Sequence, residues 1–527
     1  MLCLNKTDRS STHSMSNTAC VLAIDQGTTG TTTLLVDGQG NIVTRGYQEF
    51  TQYYPHPGWV EHDPEEIWNA TLQAIDALFG DETPNIIALG ITNQRETTLI
   101  WDRKTGKPIY PAIVWQCRRT ADKCNTLDKH GFSEEIKTKT GLVLDAYFSA
   151  TKVAWILDNV SGAREQAERG ELAFGTIDTW LLWKLTDGAV HKTDYTNASR
   201  TLLFNINTLS WDDTLLEIFN VPKTILPEVC PSANNFGTAS FYRNFWLETF
   251  GKNICLDGIP IAGIAGDQQA ALFGQLCTKP GMAKNTYGTG CFLMLNTGTE
   301  KVETETGLLT TLACSLDENP VYALEGSVFV AGAAVQWLRD GIQIIESAPE
   351  TGEIAASIPD AGGVFVVPAF TGLGAPYWDA EARGAILGLT RGSTREQIVR
   401  ATLESIAYQS ADVVTAMLTD AEITIDRLRV DGGATTNDFL MQFQADILGI
   451  DVERPAQIES TGLGAAYLAG ITSGMWKDIA ELETYRSAQD APAGEVSTAR
   501  VFSPQIDTNE RNQKLAQWKE AVQRVMT

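Results

Sequence analysis

The chain has 527 residues and a mass of 57.4 kDa, more than one hydrophobic core usually serves, so two domains are expected, with room for a third lobe. A hydrophobic fraction of 43%, 45 glycines and 19 prolines are ordinary for a folded globular chain and exclude collagenous, low-complexity and disulfide-dense classes. The formal charge of −25, from 40 Lys+Arg against 65 Asp+Glu, argues against nucleic acid and anionic membrane surfaces as partners, because both need a clustered basic face. A nucleotide would have to be held by local backbone N–H groups, magnesium or a few arginines.

The nine cysteines are an odd count, and Cys117 and Cys124, the closest pair, leave six residues between them. No zinc or redox motif emerges, and reduced thiols in a cytosol are expected. His13, His56, His62, His130 and His191 never pair at helical metal spacing, which excludes a site built on His and Cys. No apolar run approaches the length of a membrane span. Residues 1–20 are polar, rich in Ser and Thr and without an apolar core, so they read as a disordered tail rather than a signal peptide, with Met15 as a second candidate start.

Order is expected to begin at Val21, where Val21 to Asp37 runs strand, Gly-rich turn, strand, a β-hairpin. Asp63-Pro64-Glu65-Glu66 supplies a cap, a first-turn proline and acids for a helix with Ile67, Thr71, Ala74, Ile75 and Leu78 on its apolar stripe. Helix and strand alternate after it. From Ile259 to Phe273 a small-residue apolar segment, interrupted by Asp267-Gln268-Gln269, predicts a strand or loop feeding a helix. The opening pattern then recurs at Asn285 to Leu295 around Gly288-Thr289-Gly290, so the chain reads as a duplication with a boundary between 265 and 282. Ser393-Thr394-Arg395-Glu396 predicts a capping box for a helix through Ala416. Leu428 to Gly433 is a strand ending in a glycine turn, and Thr508 is the expected cap of a final packing helix carrying Leu515, Trp518, Val522 and Val525.

Three glycine turns carry the chemistry. Asp25-Gln26-Gly27-Thr28-Thr29-Gly30 places a carboxylate at a strand end beside N–H groups that can converge on phosphate oxygens, although a Gly-rich hairpin turn explains it equally well. Gly288-Thr289-Gly290 and Asp431-Gly432-Gly433 add one such turn, then another, in the second half. Gly106-Lys107 and Gly251-Lys252 lack the rest of a Walker A loop, and no Gly-x-Gly-x-x-Gly occurs, so neither a P-loop nor a Rossmann protein is expected. Arg95-Glu96 puts a donor fork and an acceptor after an extended segment, suited to adjacent hydroxyls or simply a surface ion pair. Asp267 suits a general base or a helix cap.

Asn93-Gln94-Arg95-Glu96-Thr97-Thr98, Val114 to Arg119, Gly266-Asp267-Gln268-Gln269, Tyr287-Gly288-Thr289-Gly290 and Phe370 to Asp379 give the chain, from Val21 to about Met526, a text that resembles the FGGY carbohydrate kinases, and among them those that act on glycerol. Tyr147 to Asn159 resembles a signature of that family. The resemblance implies an α/β protein of two ribonuclease-H-like domains in the actin/hexokinase/Hsp70 ATPase fold with a central cleft. The domains would span 21–272, with the substrate and the first phosphate loop, and 273–527, with the nucleotide.

It implies ATP-dependent phosphorylation of glycerol to sn-glycerol 3-phosphate, in glycerol uptake and catabolism, with Asp267 as general base. Arg95, Glu96, Tyr147, Asp267 and Gln268 would bond the glycerol hydroxyls and Trp115 and Phe292 would cover its C–H faces. Thr28, Thr29, Gly30, Thr289, Gly332, Gln336, Gly433 and Asn437 would bind ATP, and Asp25 would orient hydrated Mg²⁺. Thr32 departs from the family, whose members often carry arginine there. The alternatives are a kinase of the same family acting on xylulose or ribulose, or an actin-like ATPase that drives a partner. The resemblance also implies a cytoplasmic homodimer or homotetramer. Some bacterial members bind fructose 1,6-bisphosphate through a glycine-rich basic loop, but the corresponding stretch here, Gly237 to Lys252, is aromatic, with only Arg243 and Lys252 as cations. No inhibition by the bisphosphate is therefore expected.

Overall fold

The computed structural model describes residues 19–80, 84–241, 245–252, 254–379, 381–490 and 499–527. The expected tail lies outside them as far as residue 18. Strands β1 (Ala19–Gln26) and β2 (Gly30–Asp37) form the opening hairpin, and β3 (Ile42–Glu49) extends it as an antiparallel meander. Helix α1 (Pro64–Ala77) begins as the sequence indicates, with the Asp63 carboxylate accepting the Glu65 N–H and Ile67, Thr71, Ala74 and Ile75 buried. It seats directly on β3, where a Cβ on Gly46 would lie 2.1 Å from the Ala74 carbonyl oxygen. Strand β4 (Asn85–Asn93) pairs parallel with β1, and β5 (Ile261–Gly266) pairs parallel with β4. The first strand starts two residues before the expected Val21 because β4 offers Asn85 and Ile86 as ladder partners to Ala19 and Cys20. Helix α2 (Asp267–Gly274) follows β5 without a gap.

The second half repeats this plan. Strands β6 (Ala283–Tyr287), β7 (Cys291–Gly298), β8 (Leu309–Leu312) and β9 (Tyr322–Val328) are followed by helix α3 (Arg395–Ala421) and strand β10 (Arg427–Asp431). Helix α4 (Asp438–Leu448), strand β11 (Asp451–Arg454), helix α5 (Ser460–Thr472), strand β12 (Arg500–Phe502) and helix α6 (Thr508–Gln523) complete it. The sheet orders are β3-β2-β1-β4-β5 and β8-β9-β7-β6-β10-β11-β12. Setting β9-β7-β6-β10-β11 against β3-β2-β1-β4-β5 gives the same directions throughout, two antiparallel pairs and then two parallel ones. This is the ribonuclease-H-like arrangement present twice, the α/β architecture of the actin/hexokinase/Hsp70 ATPases.

Local signals shift by small steps. The box opening α3 pairs the Thr394 side chain with Gln397, not Glu396, and the helix runs on to Ala421 because its inner face stays buried as far as Met417. Asp507, not Thr508, caps α6, since its carboxylate reaches the N–H groups of both Asn509 and Glu510. Helix α5 belongs to the second half by sequence, yet it packs on the first sheet: Leu463, Ala465, Ala466 and Ala469 share a core with Val21, Ala23, Ala88 and Ala262. Close approach enforces small residues there, because a Cβ on Gly464 would lie 1.9 Å from the Ala270 carbonyl oxygen of α2. A linear cut at residue 272 therefore does not separate the packing units. Among the described residues no helix is long and apolar enough to cross a membrane.

Candidate active site

Three parallel strands deliver the acidic and basic side chains to one edge. Asp25 and Gln26 of β1 lie opposite Thr92 and Asn93 of β4, and Asn93 lies opposite Gly266 of β5. Asp25, the pair Arg95-Glu96 and Asp267 therefore leave the first sheet together at the carboxyl ends of adjacent strands, where α/β sheets place ligands. Glu96 turns the chain sharply, with φ at 61° and the Thr97 N–H closing on the Arg95 carbonyl at 2.7 Å. That conformation is costly for a non-glycine residue. It is held by the Ser149 hydroxyl and the Lys152 ammonium, which donate to the Glu96 carbonyl at 3.1 and 3.4 Å.

Arg95 is the hub. Its Nε lies 3.2 Å from Asp267 Oδ1 as an ion pair, and its terminal nitrogens donate to Glu325 of β9 at 2.6 and 2.9 Å. Arg200 completes the network, with Nε 2.6 Å from Glu96 Oε1 and Nη2 3.0 Å from Glu325 Oε1. Arg95, Glu96, Arg200 and Glu325 are all buried. Burial pushes the Asp267 carboxyl above its usual range while Arg95 pulls it back; Glu96 is likewise raised by burial against the pull of both arginines. Burial would raise Glu325 too, but Arg200 and Arg95 outweigh it and hold the group at about 2.

The expected polyol residues gather around this hub. The rings of Trp115 and Tyr147 meet edge to face at 5.4 Å, and Tyr147, Glu96 and Arg95 are close enough to influence one another's charge. Lys284 of β6 joins Gln268 to Phe292, donating to Gln268 Oε1 at 2.5 Å and the Phe292 carbonyl at 3.2 Å. Burial lowers that ammonium to about 8. Arg95-Glu96 is thus not a surface ion pair, and Gly266 holds the cap position of α2, with Asp267 as its first residue.

The first glycine turn is braced from behind. The Gln94 side chain reaches the Gly27 carbonyl at 3.2 Å, Gln52 reaches that of Thr28 at 2.9 Å, and the Trp115 indole donates to the Thr28 hydroxyl at 3.0 Å. Thr29 is exposed and Gly30 is buried. In the second half, β6 and β10 lie in register, Thr286 opposite Asp431, so their turns meet. The Gly332 N–H donates to the Gly288 carbonyl at 3.0 Å, and a Cβ on Gly432, whose φ is 89°, would stand 2.4 Å from the Tyr287 carbonyl oxygen. Thr289, Gly332 and Gly433 are brought together this way. Gln336 is exposed at the end of the short helix Gly332–Gln336. Asn437 caps α4 through the Leu440 N–H and donates to Thr351 at 3.2 Å.

Among the described residues no three His, Cys, Asp or Glu side chains cluster to hold a metal ion. Asp25 and Asp267 nevertheless repel: burial, Asp267 and Glu459 push the Asp25 carboxyl up to about 8. The single carboxylate of Asp25, outside any dedicated cage, fits Mg²⁺, which keeps waters and takes its other oxygens from substrate phosphates. At Thr32, the Arg45 guanidinium approaches the hydroxyl at 3.4 Å while pairing with Glu459 at 3.2 Å. Glu325, Arg200, Lys284 and Arg45 were not singled out from sequence. Only Glu325 carries a local signal, an acid inside the apolar strand Tyr322-Ala323-Leu324-Glu325.

The chain matches the N-terminal domain of the FGGY family of carbohydrate kinases over residues 20–274 and the C-terminal domain over 283–473. It belongs to the FGGY family of carbohydrate kinases. It is 56% identical over 507 residues to glycerol kinase 2 of Thermotoga maritima, covering 96% of this chain and 98% of that protein. It is 55% identical over 513 residues to the glycerol kinase of Haemophilus influenzae, with 97% and 98% covered. The crystal structure of Plasmodium falciparum glycerol kinase with ADP is similar at 38% identity and a TM-score of 0.88, covering 97% of this chain and 99% of that one. A xylulose kinase from Lactobacillus acidophilus has the same fold at 22% identity and a TM-score of 0.81, with 94% and 96% covered.

Proposed function

We propose that this enzyme transfers the γ-phosphoryl group of ATP to a terminal hydroxyl of glycerol, releasing ADP and sn-glycerol 3-phosphate. The observation that carries the reading is the convergence of Arg95, Glu96, Tyr147 and Asp267 at one sheet edge, a guanidinium, two carboxylates and a phenol that offer a small polyol both donors and acceptors. The glycerol kinases named above, more than half identical over nearly the whole chain, support it.

In this reading Arg95 and Glu96 fix neighbouring hydroxyls, and Gln268 and Tyr147 bond the polyol from the other sides. Trp115 and Phe292 cover its C–H faces. Asp267 accepts the proton of the attacking hydroxyl as its oxygen bonds to Pγ and the bond from Pγ to the β-phosphate oxygen breaks, the electron pair leaving with ADP. The Gln268 N–H donates to Asp267 Oδ1 at 2.7 Å and orients the carboxylate. Thr28, Thr29, Gly30 and Thr289 receive phosphate oxygens from the two facing turns. Gly332, Gln336, Gly433 and Asn437 bound the nucleotide on the second half. Asp25 would orient hydrated Mg²⁺, and that ion would neutralise charge developing on the phosphates. The enzyme would act as a cytoplasmic homodimer or homotetramer at the entry of glycerol into catabolism.

A coupled assay of ADP release against glycerol, xylulose, ribulose and longer polyols tests the substrate. Glycerol should give the highest kcat/KM. A ketose preferred over glycerol would move the enzyme to another branch of the family, and ADP release independent of any acceptor would make it an ATPase.

A further inference from the structure

Glu325 lies outside the polyol site and on the other sheet, yet two arginines of the site hinge on it. It stands in β9, between Met294 of β7 and Leu309 of β8 in the ladder, and is completely buried. A buried acid in a strand interior costs free energy unless matched, and here the match comes from across the duplication: both terminal nitrogens of Arg95 and one of Arg200. Glu325 therefore decides how much of the Arg95 guanidinium is left for Asp267. With the fork spent on Glu325 and with Nη1 also donating to Gln269 Oε1 at 3.1 Å, only Nε faces Asp267, at Oδ1. Oδ1 also takes the Gln268 N–H; among the described residues Oδ2 accepts no hydrogen bond. Arg200, held by the same carboxylate, presents its Nε to Glu96.

We infer that Glu325 is a positioning residue of the reaction: from the second sheet it holds the Arg95 fork away from Asp267, leaving Oδ2 open to the substrate's proton, and through Arg200 it sets Glu96. This rests on Asp267 being the base. Without the negative charge of Glu325, Arg95 has two carboxylates left to satisfy and turns its fork toward Asp267. Two parallel N–H contacts would then favour the ionised form and weaken it as a proton acceptor. The sign follows from the neighbours that face Asp267: Arg95 and Lys284 lower its carboxyl, whereas burial and Glu325 raise it.

The test compares Glu325→Gln and Glu325→Asp with the wild type, measuring kcat and KM across pH with whichever acceptor, glycerol or another polyol, the wild-type enzyme phosphorylates. A failure of the glycerol assignment then leaves this measurement intact. For Glu325→Gln the expected result is a kcat lowered about tenfold or more, part of the ~10²–10⁴-fold that a well-placed base supplies, together with an acid limb of the kcat profile moved to lower pH. The KM for the acceptor should rise and the KM for Mg·ATP should stay within about twofold, since the variant leaves the glycine turns alone. Glu325→Asp keeps the charge but reaches less far, so its limb should lie between those of Glu325→Gln and the wild type. A Glu325→Gln enzyme with wild-type circular dichroism and an unmoved acid limb would overturn the inference, whatever its kcat. If the Gln variant fails to fold, Glu325→Asp decides: its shorter reach loosens the fork, so a smaller shift in the same direction supports the role and an unchanged limb and acceptor KM overturn it.

Discussion

The Nε of Arg95 sits 3.2 Å from Oδ1 of Asp267, and the same oxygen receives the Gln268 N–H at 2.7 Å. One hydrogen bond and one ion-pair contact fall on the same oxygen, leaving the second oxygen for chemistry. Asp267→Asn keeps the size and the fold but presents an amide that cannot take a proton. Turnover should fall by about 10²–10⁴-fold with little change in the KM for ATP. A variant retaining more than about a tenth of the wild-type kcat would remove Asp267 from the role of base.

Arg45 supplies a cation beside Thr32, where relatives often carry arginine. Its reach to the Thr32 hydroxyl and its electrostatic contact with Asp25 set it beside the first phosphate turn. Arg45→Ala should raise the KM for Mg·ATP by roughly tenfold, the scale of one hydrogen bond of about 1.5 kcal/mol to a charged group, with the glycerol KM unchanged. An unaltered ATP KM would show that backbone N–H groups and magnesium suffice.

Asp25 trades stability for its place in the site. Its carboxyl is raised in the fold to about 8 from an ordinary 3.8 by burial, Asp267 and Glu459, so between these values the folded protein binds a proton that the unfolded chain has released. That contribution is complete below the unfolded value and is lost as pH rises through the folded one. Without ligand, Asp25→Asn should therefore melt above the wild type at pH ~8, with the gap closing toward pH ~4, while its Mg·ATP-dependent turnover is largely lost. Melting curves that coincide at both pH values would contradict the burial of charge at this position.

Fructose 1,6-bisphosphate should not inhibit. In the segment corresponding to the basic loop of some relatives, Trp246 stacks on Phe250 at 5.3 Å and packs beside Phe241, which reaches Trp68 of α1. Lys252 is committed to Asp76 at 3.0 Å, and Arg243 lies outside the described residues. A bisphosphate needs several free cations and flexible N–H groups, which an aromatic cluster does not offer. Activity titrated with the bisphosphate at several enzyme concentrations should stay flat. Saturable inhibition at millimolar bisphosphate that disappears in Arg243→Ala would reverse this reading.

What could be read from the sequence was local. The hairpin of β1 and β2, its repeat in β6 and β7 and the strand feeding α2 are each written in a dozen residues, through Thr-rich strands, a Gly turn and a small-residue run. Asp507 and Thr508 are both good caps, and the choice between them turns on one residue of backbone geometry that propensity does not resolve. Glu325 shows in the sequence only as an acid in an apolar strand, because its meaning lies in a pairing across two sheets with Arg95 and Arg200, 230 and 125 positions upstream. The crossing of α5 onto the first sheet was equally hidden, since Gly462, Gly464 and Gly470 in an apolar helix say that something approaches closely but not what. The roles of Trp115 and Tyr147 came from resemblance alone; in pattern they are ordinary half-buried aromatics.

The central claim is phosphoryl transfer to glycerol with Asp267 taking the proton, and ³¹P NMR of the enzyme with Mg·ATP and glycerol tests it most directly. The account predicts that the γ-phosphate signal is replaced one for one by the phosphomonoester of sn-glycerol 3-phosphate and ADP, and that Asp267→Asn forms this product at no more than about a hundredth of the rate. A γ-phosphate recovered as inorganic phosphate, or a glycerol phosphate formed equally fast by Asp267→Asn, would contradict it.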